Sequence, residues 1–205
     1  MKMTWKRVVR PIFYIIGDMY DDRRQYSISS VFYDKYIKGD KKPRRIKTYY
    51  RYGRILYEIS EFNKAEKVLK ITVDKGGVKN KPEYLLRYAQ ALIKNKKLTQ
   101  AEAALRESIA LNPKRGFVHY LLGVCLAAQK RWLHAEDSLK EAVRLGEETP
   151  GCFMHLGQAA FEMRHYSEAF KAYRASAEMG GYRLRGVKER LCTIELVLPL
   201  KEQVC

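Results

Sequence analysis

The sequence predicts an all-α fold of antiparallel helix pairs, on the strength of three observations. A small residue is followed twelve positions later by a second one in four places, namely Gly53/Ala65, Ala89/Ala101, Gly123/Ala135 and Gly157/Ala169. These pairs recur at steps of 36, 34 and 34 residues (53 to 89, 89 to 123, 123 to 157), a period typical of repeat arrays. Large apolar residues flank the small ones at the three- and four-residue spacings of amphipathic helices. Helix-ending Gly or Pro residues fall between the units.

Each unit is predicted to contain two helices joined by a short turn. The first small residue is preceded by a large apolar one, which is Tyr52, Tyr88, Leu122 or Leu156. Nine positions after the first small residue, in or next to the turn, are Phe62, Leu98, Trp132 and Tyr166. Four positions after the second small residue are Leu69, Leu105, Leu139 and Tyr173. We expect the small residues where the two helices cross, because a larger side chain there would push the helix axes apart.

Two further elements flank the four clear units. An incomplete unit precedes them, since Gly17 and Ser29 repeat the twelve-residue spacing and Gly17 lies 36 residues before Gly53. After the last unit, apolar residues at steps of three and four predict one amphipathic helix: Leu184, Val187, Leu191, Ile194 and Leu198. We expect this helix to cap the end of the array, with Lys188, Glu189, Arg190 and Glu195 turned away from it.

The pattern resembles the tetratricopeptide repeat (TPR) family, whose signature joins a Leu-Gly-x-x-Tyr motif to a later Ala and Phe and a terminal Pro. The matching residues include Leu122-Gly123, Leu156-Gly157, the four alanines at 65, 101, 135 and 169, and Pro113. The resemblance implies a right-handed superhelical solenoid of antiparallel helix pairs. The expected divisions are a basic extension (1–9), a TPR array (10–183), a capping helix (184–198) and a tail (199–205). Within the array we expect an incomplete repeat (10–43) and four clear repeats (46–79, 82–115, 116–149, 150–183).

The resemblance also implies a concave groove lined by the first helix of each repeat. Carried over position by position, the groove residues are Tyr14, Lys47, Tyr50, Arg54, Tyr57, Leu86, Gln90, Phe117, Tyr120, Met154, Gln158 and Phe161. Large rings on an open surface favour a bound segment of a partner protein. Lys47 and Arg54 predict an acidic residue in that segment. The family's two-carboxylate clamp for C-terminal peptides is not expected, since Tyr50, Arg54, Arg87, Phe117 and Leu121 occupy its positions.

An excess of positive charge supports an alternative function. The chain has 40 Lys and Arg against 23 Asp and Glu, a net charge of +17. The densest run contains Lys41, Lys42, Arg44, Arg45 and Lys47. Such a run attracts anionic membranes, acidic polymers or, less favoured here, nucleic acid, although it can also be a solvated loop. The alternative is therefore a basic adaptor domain, including the TPR appendage of a larger enzyme such as a bacterial surface-polysaccharide polymerase.

No motif for catalysis, metal binding or a cofactor is recognisable, so the sequence predicts a non-enzymatic scaffold without cofactors. The four cysteines lack paired spacing, which favours reduced thiols and a cytoplasmic location, peripheral to the inner face of a membrane if the chain is an adaptor. Cys125 and Cys192 are expected on buried apolar faces. Glu102 and Glu136 are expected on outer surfaces, in exposed ion pairs.

Overall fold

The computed structural model describes residues 5–38, 45–77, 81–180 and 186–196, and every regular element in these ranges is an α-helix. The helices are α1 (Trp5–Asp22), α2 (Tyr26–Lys38), α3 (Ile46–Glu58), α4 (Phe62–Lys75), α5 (Lys81–Lys94), α6 (Leu98–Leu111), α7 (Gly116–Ala128), α8 (Trp132–Arg144), α9 (Pro150–Glu162), α10 (Tyr166–Glu178) and α11 (Val187–Glu195). The predicted all-α fold is confirmed.

The chain forms two compact units, Met1–Lys97 and Leu98–Cys205. In the first unit each helix from α1 to α4 packs on the next, and in the second each helix from α6 to α10 does the same. Helices that are not neighbours in the chain also pack, α3 on α5 and α7 on α9. In each unit, therefore, the first helices of successive hairpins form a surface of their own.

Glycines lie where the two helices of a hairpin cross. A Cβ atom added to Gly53 would lie 2.5 Å from Cγ of Leu69, and one added to Gly123 would lie 2.5 Å from Cγ of Leu139. The predicted placement of the small residues is confirmed at these crossings. In the incomplete first repeat, a Cβ on Gly17 would meet the ring of Tyr33 at 3.3 Å, so α1 and α2 cross in the same way.

The turn between the two helices of each hairpin has one repeated geometry. One residue of each turn has a positive φ of 57–64°, although none of the five is glycine: Arg24, Ser60, Lys96, Lys130 and Arg164. The next residue donates its backbone N–H to the carbonyl five residues earlier, as from Arg131 to Leu126 over 3.0 Å. This pair of features defines a Schellman-type helix end. Its presence after α1 shows that the first hairpin shares the turn of the others.

Half-buried or buried glutamates connect each clear hairpin to the next, which corrects the prediction that Glu102 and Glu136 lie in exposed surface ion pairs. Glu66 accepts hydrogen bonds from Asn95 (2.7 Å) and Lys97 (2.6 Å). Glu102 accepts equivalent bonds from Gln129 (3.1 Å) and Arg131 (2.7 Å). Each carboxylate can be half-buried because the cationic side chain of the following turn, Lys97 or Arg131, forms an ion pair with it.

The third member of this series is Glu136, whose side chain is 3% exposed. It lies 2.6 Å from Nζ of Lys140 and 3.1 Å from Nδ1 of His165. Its partner His165 therefore occupies the same turn position as Lys97 and Arg131.

The two ends of the array differ in part from expectation. α1 begins at Trp5, so part of the predicted extension is helical. In α11, Val187, Leu191 and Ile194 are buried against α10 as the apolar spacing predicts. Leu184 and Leu198 lie outside the described residues. Arg190 is not turned away, since it lies over the ring of Phe161, and Cys192 is exposed rather than buried.

Candidate functional site

The first helices α1, α3 and α5 form what we call the inner surface of the first unit. It contains a cleft of about 410 Å³ lined by Asp21, Asp22, Lys47, Tyr50, Arg51, Arg54, Glu83 and Tyr84. Three predicted groove residues, Lys47, Tyr50 and Arg54, therefore lie together. The carboxylates around them were not predicted, although their residue types are visible in the sequence.

Ion pairs across the inner surface neutralise two of its arginines. Nη2 of Arg54 donates to both carboxylate oxygens of Asp21, over 2.5 and 2.6 Å. Arg51 donates to Asp18, which also accepts from the hydroxyl of Tyr33. Burial opposes the charge of Arg54, but the hydrogen bond to Asp21 outweighs it and raises the pKa of the guanidinium. α1 therefore already supplies an acidic partner for Arg54, and contact between Arg54 and an acidic residue of a bound segment stays a prediction.

Tyr50 forms the apolar side of the cleft and is held from α5. Its hydroxyl donates to Oε1 of Glu83 over 2.8 Å, and its ring lies 5.2 Å from the ring of Tyr84. Burial, and then the nearby Glu83 carboxylate, raises the pKa of Tyr50. Tyr50 is thus a neutral, oriented ring that remains partly open to solvent.

Unpaired positive charge remains at the edge of the cleft. Lys47 and Arg45 are exposed, and within the described residues neither forms an ion pair. The guanidinium of Arg45 lies 5.6 Å from the ring centre of Tyr14. Of the predicted basic cluster, Lys41, Lys42 and Arg44 lie outside the described residues.

The remaining predicted groove residues of the first unit are mostly half-buried. Tyr14 packs against Tyr36 at 5.7 Å, Tyr57 packs edge-on against Phe62 at 5.3 Å, and Gln90 accepts from Arg87 over 3.2 Å. Leu86 is the exception. It is fully buried and cannot contact a ligand.

In the second unit, α7 and α9 carry a contiguous group of rings. Phe117 lies 5.9 Å from Tyr120, and Tyr120 lies 5.9 Å from His155. Burial raises the pKa of Tyr120 and lowers that of His155, so both groups favour their neutral forms. His155 was not predicted as a groove residue, because its repeat position is not among those carried over from the family.

The last two turns of α9 lie beneath α11. Met154 and Gln158 line a smaller cleft of about 270 Å³, whose other side is formed by Tyr173, Gly186, Glu189 and Arg190. Phe161 is covered by the guanidinium of Arg190, 4.4 Å from the ring centre. The capping helix therefore limits access to the predicted residues at this end.

The described part of the chain shows neither a metal site nor a reactive buried thiol. No group of three or more His, Cys, Asp and Glu side chains there could hold a metal ion. Burial raises the pKa of Cys152 to about 12 and also raises that of Cys125, so both thiols stay protonated at neutral pH. Within the described ranges, no helix is long and apolar enough to cross a bilayer.

Comparison with known proteins gives one family match and many similar structures. The family described as "Anaphase-promoting complex, cyclosome, subunit 3" matches residues 77–142. No curated protein sequence matches the chain. A structure of MamA (41-end) from Desulfovibrio magneticus RS-1 has a TM-score of 0.74 at 18% identity, covering 89% of this chain and 99% of the other.

Two further similar structures are described as TPR proteins. One, a thermophilic TPR protein from Thermus thermophilus, has a TM-score of 0.62 at 19% identity and covers 91% of this chain and 99% of its own. The other, YrrB, is described as a TPR protein with an unusual peptide-binding site. Its TM-score is 0.71 at 13% identity, covering 87% of this chain and 90% of its own. The chain has the tetratricopeptide-repeat fold, which confirms the resemblance seen in the sequence.

Proposed function

We propose that the chain is a non-enzymatic scaffold that binds an extended segment of a partner protein on the inner surface of its first unit. The cleft between α1, α3 and α5 is the observation that supports this most directly. It combines one partly open ring, Tyr50, which packs on the buried ring of Tyr84, with charged groups fixed by ion pairs. Oriented aromatic rings in a cleft are typical of binding hot spots.

The charges of the cleft indicate the chemistry of the segment. Asp21 and Arg54 neutralise each other, which leaves Lys47 as an exposed cation and Asp22 as an exposed carboxylate. A segment with an apolar residue against Tyr50 and an acidic residue against Lys47 fits this arrangement. The acidic character expected from the sequence is retained, but its contact moves from Arg54 to Lys47.

The similar structure of YrrB supports the choice of a peptide ligand. That protein is described as having a peptide-binding site, and it shares the fold of this chain. A protein of this fold can therefore bind a peptide, and the same kind of ligand is proposed here.

Selection from a library of short peptides followed by affinity measurement tests the proposal. Tyr50→Ala should lower the affinity for the selected peptide at least tenfold, which is about 1.4 kcal/mol of binding free energy, because it removes the aromatic ring that the peptide contacts. Lys67→Ala, at an exposed position of α4, is the matched control and should leave affinity unchanged. Equal affinity of wild type and Tyr50→Ala would overturn the proposal.

A second candidate function is docking on an anionic surface, and unpaired cations favour it. Arg45 and Lys47 are exposed, as are the turn residues Arg24, Lys96 and Lys130. None of the five forms an ion pair within the described residues. In this alternative the chain would be a basic adaptor on the inner face of a membrane, on an acidic polymer or, less favoured, on nucleic acid.

Salt dependence separates the two candidates. Binding to anionic vesicles or single-stranded RNA should fall steeply between low and physiological salt, whereas peptide binding driven by buried apolar area should change little. Charge reversal at Arg44, Arg45 and Lys47 should abolish the first kind of binding. If the chain binds vesicles or RNA tightly, with a steep salt dependence, and this variant loses that binding, the adaptor function is favoured over the peptide-binding scaffold.

A further inference from the structure

The contact between the last two hairpins differs from its equivalents in one respect. Three glutamates of second helices each meet a basic side chain from the turn of the next hairpin. The pairs, with distances of 2.6, 2.7 and 3.1 Å, are Glu66–Lys97, Glu102–Arg131 and Glu136–His165. Lysine and arginine are charged at every physiological pH, whereas an imidazole gains and loses its charge between about pH 5 and pH 8. Of the three contacts, the last is therefore the one whose charge depends on pH.

Glu102 shows the arrangement when both basic partners are permanent cations. Arg106 of the same helix lies 3.0 Å from Oε1, and Arg131 of the following turn lies 2.7 Å from Oε2. Gln129, two residues before Arg131, donates a further hydrogen bond over 3.1 Å. Three side chains therefore compensate a carboxylate that is 12% exposed.

Glu136 has the same geometry with weaker partners. Lys140 of the same helix lies 2.6 Å from Oε1, and Nδ1 of His165 lies 3.1 Å from Oε2. The position equivalent to Gln129 is occupied by Met163, whose thioether has no proton to donate. With a side chain that is 3% exposed, Glu136 is also the most buried glutamate of the three. The carboxylate that most needs compensation thus has the fewest permanent donors.

Other charged groups surround the pair from two helices. A cavity of about 370 Å³ lies between α8, α9 and α10. Its charged lining residues are Glu136 and Lys140 from α8 and Glu168 and Lys171 from α10, whereas α9 contributes Phe153 and Leu156. The two lysines and the adjacent Arg164 oppose a positive imidazole, and the two glutamates favour it. Glu136 is hydrogen-bonded to the ring, so its charge acts at the shortest distance.

We propose that His165 makes the docking of the last hairpin, α9–α10, on the preceding one sensitive to pH. When the imidazole is protonated, the turn supplies a cation to Glu136, as Arg131 does to Glu102. When it is neutral, one tautomer can still donate a hydrogen bond from Nδ1, but the attraction between opposite charges is lost. This stabilisation is present on the acid side and is lost as the imidazole gives up its proton.

The pH-sensitive contact belongs to the second unit, so it does not depend on peptide binding by the first. Within the second unit, α10 packs on α11 as well as on α9. A weaker contact at Glu136 therefore loosens the last hairpin and the capping helix together.

Amide hydrogen exchange of the full chain, measured by mass spectrometry, tests the proposal. The protection of α9 and α10 is compared between wild type and His165→Arg, at about pH 5.5 and at about pH 8. At the higher pH these helices should exchange roughly threefold more slowly in His165→Arg, because arginine keeps its charge. At the lower pH the two proteins should exchange alike. His134→Arg, at an exposed histidine of α8, is the matched control and should match wild type at both pH values.

A second comparison assigns the effect to the carboxylate. In a Glu136→Gln background, His165→Arg should no longer slow exchange at the higher pH, because the negative charge is gone. If His165→Arg changes protection equally at both pH values, or at neither, the proposal is overturned. A slowing at the higher pH that persists in Glu136→Gln would also overturn it.

Discussion

At the scale of single residues, the fold depends on positions where a side chain is either very small or fully neutralised. Gly53 and Gly123 leave room for a leucine of the facing helix. Glu66, Glu102 and Glu136 are carboxylates that the following turn neutralises. Both sets repeat with the period of the array. The glycines allow the two helices of one hairpin to pack closely, and the glutamates bind each hairpin to the next.

Replacing Gly123 by Ala tests the crossing. The added Cβ would lie 2.5 Å from Cγ of Leu139, too close for a carbon contact. The overpacking should cost about 1–3 kcal/mol of unfolding free energy, more than the gain of up to about 1 kcal/mol in helix propensity. Gly77→Ala, where the new Cβ meets no atom within 4 Å, is the control and should change stability by less than about 0.5 kcal/mol. Chemical denaturation measures both, and equal stabilities of the two variants would contradict the crossing.

Acid unfolding tests the half-buried carboxylate of Glu102. Burial alone would raise the pKa of Glu102, but hydrogen bonds from Gln129 and Arg131 lower it below its ordinary 4.5. A carboxylate with a lowered pKa in the folded state stabilises the fold above pH 4.5, and this stabilisation is lost as pH falls through the folded pKa.

In Glu102→Gln the loss of unfolding free energy between neutral pH and a pH below 4.5 should therefore be smaller than in wild type. Glu178→Gln, an exposed position paired with Arg174, provides the comparison. An unchanged pH dependence in Glu102→Gln would show that this carboxylate does not stabilise the fold.

At the scale of elements, the hairpin turn is the most regular feature of the chain and the one that sequence patterns least reveal. The five turn residues with positive φ are Arg24, Ser60, Lys96, Lys130 and Arg164. Glycine is the residue usually expected in this conformation, because a Cβ strains it.

Glycine at one of these turns should therefore stabilise the chain. Lys130→Gly is expected to raise the unfolding free energy by about 0.5–1 kcal/mol, since it relieves the left-handed strain at φ 59°. Ala128→Gly, two residues earlier in α7, should instead lower it by about 0.5–1 kcal/mol. Thermal and chemical denaturation distinguish the two, and a destabilising Lys130→Gly would contradict the strain.

At the scale of the whole molecule, the sequence predicts what periodic packing determines. The helical hairpins, the glycine crossings and the core residues of α11 all follow from small and apolar residues at fixed spacing. What the sequence did not predict depends on contacts between different repeats. Leu86 is buried on a helix that packs against both α3 and α4, and Arg54 is neutralised because Asp21 comes from the preceding hairpin.

The function rests on one central claim, that a partner segment lies on the inner surface formed by α1, α3 and α5. Site-specific photo-cross-linking tests this most directly. A photoreactive phenylalanine analogue is placed at Tyr57 or at Gln90 of the inner surface. The control carries it at the exposed Lys67 of α4. With a bound selected peptide, cross-links should form from Tyr57 and Gln90 and not from Lys67. Cross-links from Lys67 alone would place the peptide on the opposite helices and contradict the account.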